Sequence, residues 1–310
     1  MKILFMGTPD FAVFTLRALI GAGHEICAVV TQPDKPRGRG YAMTPPPVKV
    51  CAAEAGIPVL QPATLRDEHI AAELAGYAPQ VIVVVAYGKI LPKNILDLPP
   101  YGCINLHGSL LPEYRGAAPM QRAILDGKPV TGVTTMYMAE GMDTGDMLLR
   151  REISIEESDN FEDIHDKLGK IGAVLMLETL EKLEAGTLTP VPQDDSLATY
   201  AAKITKDDCL VCFDTDARTV HNRIRGLSPI PLAFTHTPDG KLLKLVSARI
   251  AEEDQAHDTP GEILSLEDGI TVACRTGSVT VTGVLPEGKG RMNACDYVRG
   301  RRLSVHDILR

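Results

Sequence analysis

The sequence predicts an α/β protein: an open, mostly parallel sheet flanked by helices, followed by a small all-β domain. Three observations carry this. The run Val81-Ile82-Val83-Val84-Val85-Ala86 has no polar interruption, and continuous β-branched residues mark a strand buried on both faces, as in a parallel sheet covered by helices. Around it, short apolar runs alternate with helical patterns, the arrangement of strand–helix–strand units. Toward the C-terminus the pattern changes to short alternating runs separated by turn signals such as Pro238-Asp239-Gly240, which reads as a β-barrel or sandwich of about 100 residues.

The elements follow in order. Residues 2–6 are a first strand ending at Gly7. Thr8-Pro9-Asp10 opens a helix, with Thr8 as its cap and Pro9 in the first helical position, and Gly21-Ala22-Gly23 stops it. Residues 26–31 are a second strand. From Gln32 to Pro47 five prolines and two glycines exclude regular structure, and so long a loop inside a compact domain is usually functional. Over 160–185, Ile164, Leu168, Ile171, Leu175 and Leu177 recur at helical spacing. A linker with Pro190, Pro192, Gln193, Asp194 and Asp195 follows. The expected domains are therefore 1–188 and 209–310, joined by a linker over 189–208. A short helix over 217–225 precedes strands at 241–249, 262–265, 271–275 and 278–284.

Composition narrows the function. With 310 residues, 45% hydrophobic and 23% charged, the chain is neither disordered nor collagen-like. No apolar run approaches the roughly 18–20 residues that span a bilayer, so no membrane partner is expected. The N-terminal run to Gly7 lacks signal-peptide anatomy. Seven scattered cysteines, an odd count, suit reduced thiols in the cytoplasm. Cys209-Leu210-Val211-Cys212 is a lone C-x-x-C with no second ligand pair, so its cysteines read as strand residues and no metal is expected. A dinucleotide fold wants G-x-G-x-x-G after its first strand, and the single glycine of Gly7-Thr8-Pro9-Asp10-Phe11 argues against NAD or FAD.

The net charge of −8 argues on its face against nucleic acid, but the average hides two basic patches. Residues 31–50 hold Lys35, Arg37, Arg39 and Lys49 against Asp34, a local +3. Residues 289–302 hold Lys289, Arg291, Arg299, Arg301 and Arg302 against Asp296, a local +4. Screening confines surface charge to roughly 10 Å, so patches rather than the mean decide contacts with phosphates.

Candidate chemistry lies in one stretch. Cys103-Ile104-Asn105-Leu106-His107 reads as the end of a strand, where period-two alternation puts Asn105 and His107 on one face. Ligands of open α/β sheets sit at the carboxyl ends of strands. Gly108-Ser109-Leu110-Leu111-Pro112-Glu113-Tyr114-Arg115-Gly116 follows, an apolar loop suited to gripping a flat ligand with backbone groups and aliphatic side chains. Asp143, in a turn between two further strands, is placed to orient or charge a histidine. Asp146 competes for that role, although Asp in a turn also bonds its own backbone.

Asn105-x-His107, Ser109-Leu110-Leu111-Pro112 with Gly116 beyond, and Asp143 some 36 residues after His107 resemble the folate-dependent formyltransferase superfamily. Gly7-Thr8-Pro9-Asp10-Phe11, the insert from Gln32 to Gly40, Val85-Ala86-Tyr87-Gly88 and Arg115-Gly116-Ala117-Ala118-Pro119 resemble its members that act on methionyl-tRNA. The resemblance runs nearly the full length. It implies a Rossmann-like formyltransferase sheet, an OB-like C-terminal barrel that binds tRNA, and transfer of a formyl group from 10-formyltetrahydrofolate to the α-amine of methionine on initiator tRNA, by a monomer. Asn105 and His107 would then serve the developing oxyanion, His107 and Asp143 would collect the amine proton, and Ser109, Leu110, Leu111 and Pro112 would line the folate site. Arg39, with Arg37, would reach the tRNA acceptor end. Tyr41 and Ala42 stand where some relatives carry lysines, which leaves Tyr41 to stack on a base. Two other readings stay open: a formyltransferase of small amines such as amino-sugars, or a formyltetrahydrofolate hydrolase; and an RNA-binding module without catalysis.

Overall fold

The computed structural model describes residues 1–37, 42–300 and 303–310, with Arg37 described by its backbone only. In chain order the elements are β1 (Lys2–Gly7), α1 (Asp10–Gly21), β2 (Glu25–Val30), β3 (Lys35–Arg37), β4 (Ala42–Thr44), α2 (Pro47–Glu54), β5 (Val59–Leu60), α3 (Glu68–Gly76), β6 (Val81–Val85), α4 (Lys93–Leu96), β7 (Cys103–His107), β8 (Arg115–Gly116) and α5 (Pro119–Leu125). There follow β9 (Val130–Tyr137), β10 (Met147–Ser154), α6 (Phe161–Glu184), β11 (Tyr200–Ala201), α7 (Lys206–Cys209), α8 (Ala217–Gly226), β12 (Ala233–His236), β13 (Leu242–Ala256), β14 (Ile263–Ser265), β15 (Ile270–Ala273), β16 (Thr276–Pro286), β17 (Met292–Asn293) and α9 (Ala294–Arg299). They form two compact units. Met1–Gly116, Thr131–Ile153 and His165–Tyr200 make the first; Ala117–Val130, Ser154–Ile164 and Ala201–Arg310 make the second.

The first unit is built on a sheet of order β10-β9-β7-β6-β1-β2-β5. β1 pairs in parallel with β2 and β6, β2 with β5, and β6 with β7; β9 runs antiparallel to β7. The chain moves outward from β1 to β2 and β5, then returns and moves the other way through β6 and β7. The reversal falls between β1 and β6, and a sheet of this kind opens a ligand crevice at the carboxyl ends of those strands. Every residue of β6 is buried, as its β-branched run requires.

Alternation along β7 decides which side chains face which layer. Leu106 points to α6, where a Cβ added at Gly172 would stand 2.7 Å from Leu106 Cδ2. At Gly169 an added Cβ would stand 2.5 Å from Phe14 of α1, so two glycines let α6 lie close to the sheet and to α1. Cys103 joins the opposite layer, packed with Leu4, Met6, Ile82, Val84, Leu74 and Ile95. Asn105 and His107 follow Cys103 on that face.

Two local expectations are corrected. Thr8 does not cap α1: Pro9 occupies the N-cap, Asp10 begins the helix and accepts a hydrogen bond from the Phe11 N–H. The Thr8 hydroxyl instead donates to the Tyr87 carbonyl at 3.0 Å, a longer-range bond that joins the ends of β1 and β6. The proline-rich insert is not wholly irregular either. β3 and β4 pair antiparallel, Lys35 with Thr44 and Arg37 with Ala42, because a two-stranded ladder needs only alternate N–H groups and tolerates Pro36 in an edge position. Residues 38–41 lie outside the described residues.

The second unit carries an antiparallel sheet of order β12-β13-β16-β15-β14, with β17 beside β16. Register shifts along the long β13–β16 pair, at Leu245/Ser247, Ser247/Ala248 and Ile250/Glu252, add the local twist that curls such a sheet. Val220 and Ile224 of α8 pack with Phe213, Leu243, Leu245, Val279 and Val281 in its core. Asp216 caps α8 by accepting from the Thr219 N–H at 2.8 Å. Cys209 and Cys212 are not strand residues: Cys209 ends α7 and is buried, whereas Cys212 is exposed in a connecting segment.

One glycine of the first unit yields a test. At Gly132 of β9 an added Cβ would collide with the Arg151 carbonyl oxygen and with Leu110 Cδ2. The backbone oxygen cannot swing aside as a side-chain tip would. Gly132→Ala is expected to lower stability by about 1–3 kcal/mol, the range for overpacking a filled core, read as a fall in the denaturant midpoint. An unchanged midpoint would mean that β10 and the loop carrying Leu110 both give way at β9.

Candidate active site

The site grows from the end of β7. Asn105 and His107 are 9% and 6% exposed. The Asn105 carboxamide makes no hydrogen bond among the described residues, although its position is nine-tenths buried. Neither of its polar atoms is among the buried side-chain atoms left without a partner, so the amide opens to solvent and is free to meet a ligand. His107 is different. Its Nε2 lies 2.9 Å from the Tyr114 carbonyl oxygen. That oxygen can only accept, so Nε2 carries the proton and the neutral ring leaves Nδ1 bare.

The bare nitrogen faces a carboxylate. His107 Nδ1 stands 3.6 Å from Asp143 Oδ2, with side chains 7% and 20% exposed. At that distance no hydrogen bond joins them. With the ring neutral, a lone pair on nitrogen and a carboxylate oxygen face one another across that gap. Chemically that is a receptor for a proton brought by an incoming N–H or O–H. Asp143 Oδ2 is itself held by the Gly116 N–H at 2.8 Å. The cysteine at the foot of the same face takes no part: burial pushes the Cys103 thiol up to about 12, and its Sγ leans on the carbonyls of Ile95 and Leu96.

The loop after His107 is pinned at several points. Thr134, directly opposite His107 on β9, donates its hydroxyl to the Ser109 carbonyl at 2.8 Å and accepts from the Leu111 N–H at 3.1 Å. The Ser109 hydroxyl donates to the Glu113 carbonyl at 2.6 Å. Leu111 is wholly buried and Ser109 nearly so, whereas Leu110 and Pro112 remain partly open. Of the four residues singled out in the sequence, Ser109 and Leu111 therefore build the loop, and Leu110 and Pro112 offer apolar surface.

Residues that the sequence did not single out complete the surroundings. Arg115 is 2% exposed. Its Nε and Nη2 donate to Gln193 Oε1 at 3.0 and 2.8 Å, and Nη2 also reaches Asp195 Oδ1 at 2.8 Å. The amide of Gln193 donates in turn to the carbonyls of Asp143 and Gly145, at 2.8 and 2.7 Å. The Arg115 N–H donates to the Thr199 carbonyl and the Tyr114 N–H to the Thr199 hydroxyl. None of this has a local sequence signal, since the partners lie between 48 and 85 residues apart. Gln32 Nε2 adds a second donor, 3.1 Å from the Tyr87 carbonyl, at the crevice between β1 and β6. Asp146 contributes its backbone carbonyl to the Tyr137 N–H, and no ion pair of its carboxylate is found among the described residues.

The basic insert is anchored at its base. Lys49 Nζ stands 2.9 Å from both oxygens of Asp34, and Gln61 Nε2 reaches Asp34 Oδ1 at 2.7 Å. These bonds, that from Gln61 first, hold the Asp34 carboxyl below its ordinary range. Lys49 and Asp34 cancel, so the excess positive charge of the insert belongs to Lys35, Arg37 and Arg39. Arg37 is described by its backbone, Arg39 and Tyr41 lie outside the described residues, and no hydrogen bond among the described residues joins the hairpin to Asn105, His107 or Asp143. In the C-terminal patch Lys289, Arg291 and Arg299 are exposed, while Arg301 and Arg302 fall outside the described residues.

The Thr134 bridge is directly testable. Thr134→Val keeps the shape and removes the hydroxyl, leaving the buried Ser109 carbonyl and Leu111 N–H without it. A loss of about 1–3 kcal/mol is expected from such unsatisfied groups, with faster hydrogen exchange at the Leu111 amide. Wild-type exchange at Leu111 would show that the loop does not depend on this hydroxyl.

The comparisons with known proteins agree on one family. The model described as "Formyl transferase" matches residues 1–180, and "Formyl transferase, C-terminal domain" matches 203–302. A methionyl-tRNA formyltransferase of Citrifermentans bemidjiense is 49% identical over 310 residues, covering 100% of this chain and 96% of that protein. One of Bacillus licheniformis is 49% identical over 308 residues, covering 98% and 96%. Among solved structures, HypX from Aquifex aeolicus in complex with tetrahydrofolic acid superposes with a TM-score of 0.66 at 20% identity, covering 96% of this chain and 47% of HypX. The sugar 3N-formyl transferase WlaRD superposes at 0.66 and 17% identity, covering 94% and 99%. The structures share the fold; the two sequence relatives share the whole chain. The chain belongs to the formyl transferase family and, within it, to the methionyl-tRNA formyltransferases.

Proposed function

We infer that this enzyme transfers the formyl group of 10-formyltetrahydrofolate to the α-amino group of methionine on initiator tRNA. The observation that carries the chemistry is an Asn105 carboxamide open to a ligand on the same face of β7 as a His107 whose Nε2 is held by the Tyr114 carbonyl and whose Nδ1 faces Asp143. The substrate follows from relatives named for it that are 45–49% identical over 97% or more of the chain. Formyltransferases that act on sugars share only the fold, at 17–18% identity, so the fold does not choose the acceptor.

The residues present suit a folate donor. Acyl transfer needs a hydrogen-bond donor for charge on the carbonyl oxygen and a base for the amine, and the site offers one of each with no nucleophile to form a covalent acyl-enzyme. The folate supplies the activated formyl group. Asn105 Nδ2 donates to the formyl oxygen as negative charge builds there, worth roughly 3–4 kcal/mol of barrier for one well-placed donor. Nδ1 of His107, backed by Asp143 Oδ2, takes the proton that the attacking amine gives up and returns it to the folate nitrogen as its bond to the formyl carbon breaks, worth about 10²–10⁴ in rate. Tyr114 keeps the imidazole in the tautomer that leaves Nδ1 available. Leu110 and Pro112, with the backbone around Ser109 and Leu111, flank the folate, and the crevice between β1 and β6 lies alongside.

The tRNA is gripped elsewhere. Residues 1–188 are proposed as the catalytic domain and 209–310 as the tRNA-binding domain, joined by 189–208, with Arg39 and Arg37 of the insert reaching the acceptor end. The enzyme works as a monomer in the cytoplasm. All seven cysteines are free thiols, in keeping with a reducing compartment.

Incubation with 10-formyltetrahydrofolate and either charged initiator tRNA or free amines separates the readings. Formylation of the tRNA alone supports this one; formylation of amino-sugars, or release of formate without an acceptor, overturns it. Asn105→Ala is expected to lose 10²–10³ in kcat with little change in folate affinity, because an oxyanion donor acts mainly in the transition state. His107→Asn should retain under a tenth of kcat/KM, a loss above about 1.4 kcal/mol. Both variants should melt within a few degrees of wild type, and a large fall in Tm would assign them structural roles instead.

Arg39→Ala should leave stability within about 0.5 kcal/mol, as surface changes do, and lower kcat/KM for charged initiator tRNA while folate binding stands. Loss of one phosphate contact also flattens the salt dependence of tRNA binding by about one unit of slope. Equal kcat/KM for wild type and variant at two salt concentrations would remove Arg39 from the tRNA contact.

A further inference from the structure

We propose that Gln193 is a positioning residue for Asp143, and that it works by clamping the Asp143 turn to the buried guanidinium of Arg115. The proposal rests on the reading of Asp143 as partner of His107 in proton transfer.

Asp143 is hard to hold in place. It sits in a turn between β9 and β10, and its φ of +53° is a left-handed conformation that a non-glycine residue adopts only at some cost. Its carboxylate makes no hydrogen bond to His107, being 3.6 Å away. Something other than the histidine must therefore set where Oδ2 stands. Two groups do so. The Gly116 N–H holds Oδ2, and the Gln193 amide holds the backbone, donating from one nitrogen to the carbonyls of Asp143 and Gly145. Those two carbonyls flank Thr144, so the nitrogen spans the tip of the turn.

The other end of the same amide is equally occupied. Gln193 Oε1 accepts from both Nε and Nη2 of Arg115, a two-point contact that fixes the plane of the guanidinium and of the amide together. Arg115 precedes Gly116. The residue whose N–H holds the Asp143 carboxylate is thus chain neighbour to the one that holds Gln193, and the Asp143 turn is gripped from two sides by one short segment. Gln193 uses both N–H bonds and its oxygen, and only a neutral amide supplies donors on one side and an acceptor on the other. Asp195, whose side chain is 84% exposed, adds countercharge to Arg115 from the solvent side and does not touch the turn.

Substitutions separate the two halves of the bridge. Gln193→Glu keeps an acceptor for Arg115, and with it the partner that a buried guanidinium needs for folding, but offers oxygen to the carbonyls of Asp143 and Gly145. Gln193→Ala removes both halves. Both variants are expected to lose about 10- to 100-fold in kcat, the scale of a displacement near 1 Å in a catalytic group, with KM for 10-formyltetrahydrofolate changed less than about threefold if the defect lies in transition-state geometry alone. In an Asp143→Ala background, Gln193→Ala should cost less than about twofold more, since a positioning residue has nothing left to position.

Three outcomes would overturn the proposal. Gln193→Glu near wild type while Gln193→Ala is impaired would place the role in supporting Arg115. Fully multiplicative losses in the double variant would make Gln193 independent of Asp143. Wild-type kcat for both single variants, with Asp143→Ala inactive, would show that the turn holds itself. Wild-type kcat for Asp143→Ala would remove the underlying reading of Asp143 and this inference with it.

Discussion

The hydrogen bond from His107 Nε2 to the Tyr114 carbonyl organises the site. A histidine at the end of a strand has two nitrogens and no inherent preference about which one reaches a substrate. By giving one nitrogen an acceptor that can never donate, the loop over 108–116 commits the proton to Nε2 and leaves Nδ1 as the basic atom. For the bond to form the loop must turn back on itself within seven residues. The Thr134 hydroxyl, the Ser109 hydroxyl and the missing side chain at Gly132, which lets Leu110 pack against β9, let it do so. The chemistry of one ring is in this way written into the packing of a loop.

Around that bond the enzyme uses its polar groups unequally. Most are saturated: the Arg115 guanidinium, the Gln193 amide and the Thr134 hydroxyl each have partners on the protein, so their geometry is set before substrate arrives. Asn105 is not saturated, and Nδ1 of His107 faces an acceptor rather than a donor. Neither is among the buried side-chain atoms left without a partner, so both stay open to a ligand. The saturated groups hold the loop and the turn in place, and the open ones are available to a ligand.

The basic insert follows the same economy on a larger scale. Its base is tied down by Lys49 and Gln61 on Asp34, which neutralises the acid of the segment and leaves its positive charge beyond the anchor. In a chain of net charge −8 such a segment is a local positive patch, and within a Debye length the patch rather than the mean sets what a nearby charge meets.

Much of this was legible in the sequence. The β-branched run at 81–86 required burial on both faces and hence a parallel sheet, period-two alternation placed Asn105 and His107 on one face of β7, and the helix over 160–185 was visible in its apolar spacing. These are local rules, and they hold because a strand or helix carries its own periodicity. What sequence could not decide was set by contacts between distant residues. Thr8, a good cap by local preference, spends its hydroxyl on Tyr87, 79 residues away. The insert, irregular by its proline content, closes into a hairpin because partners across the ladder and the Asp34 anchor hold it. The tautomer of His107, the gap between Nδ1 and Asp143, and the bridge from Arg115 through Gln193 to the Asp143 turn depend on positions of a few tenths of an ångström between segments far apart in the chain. No periodicity encodes such distances; only the folded chain, with its strands in register, does.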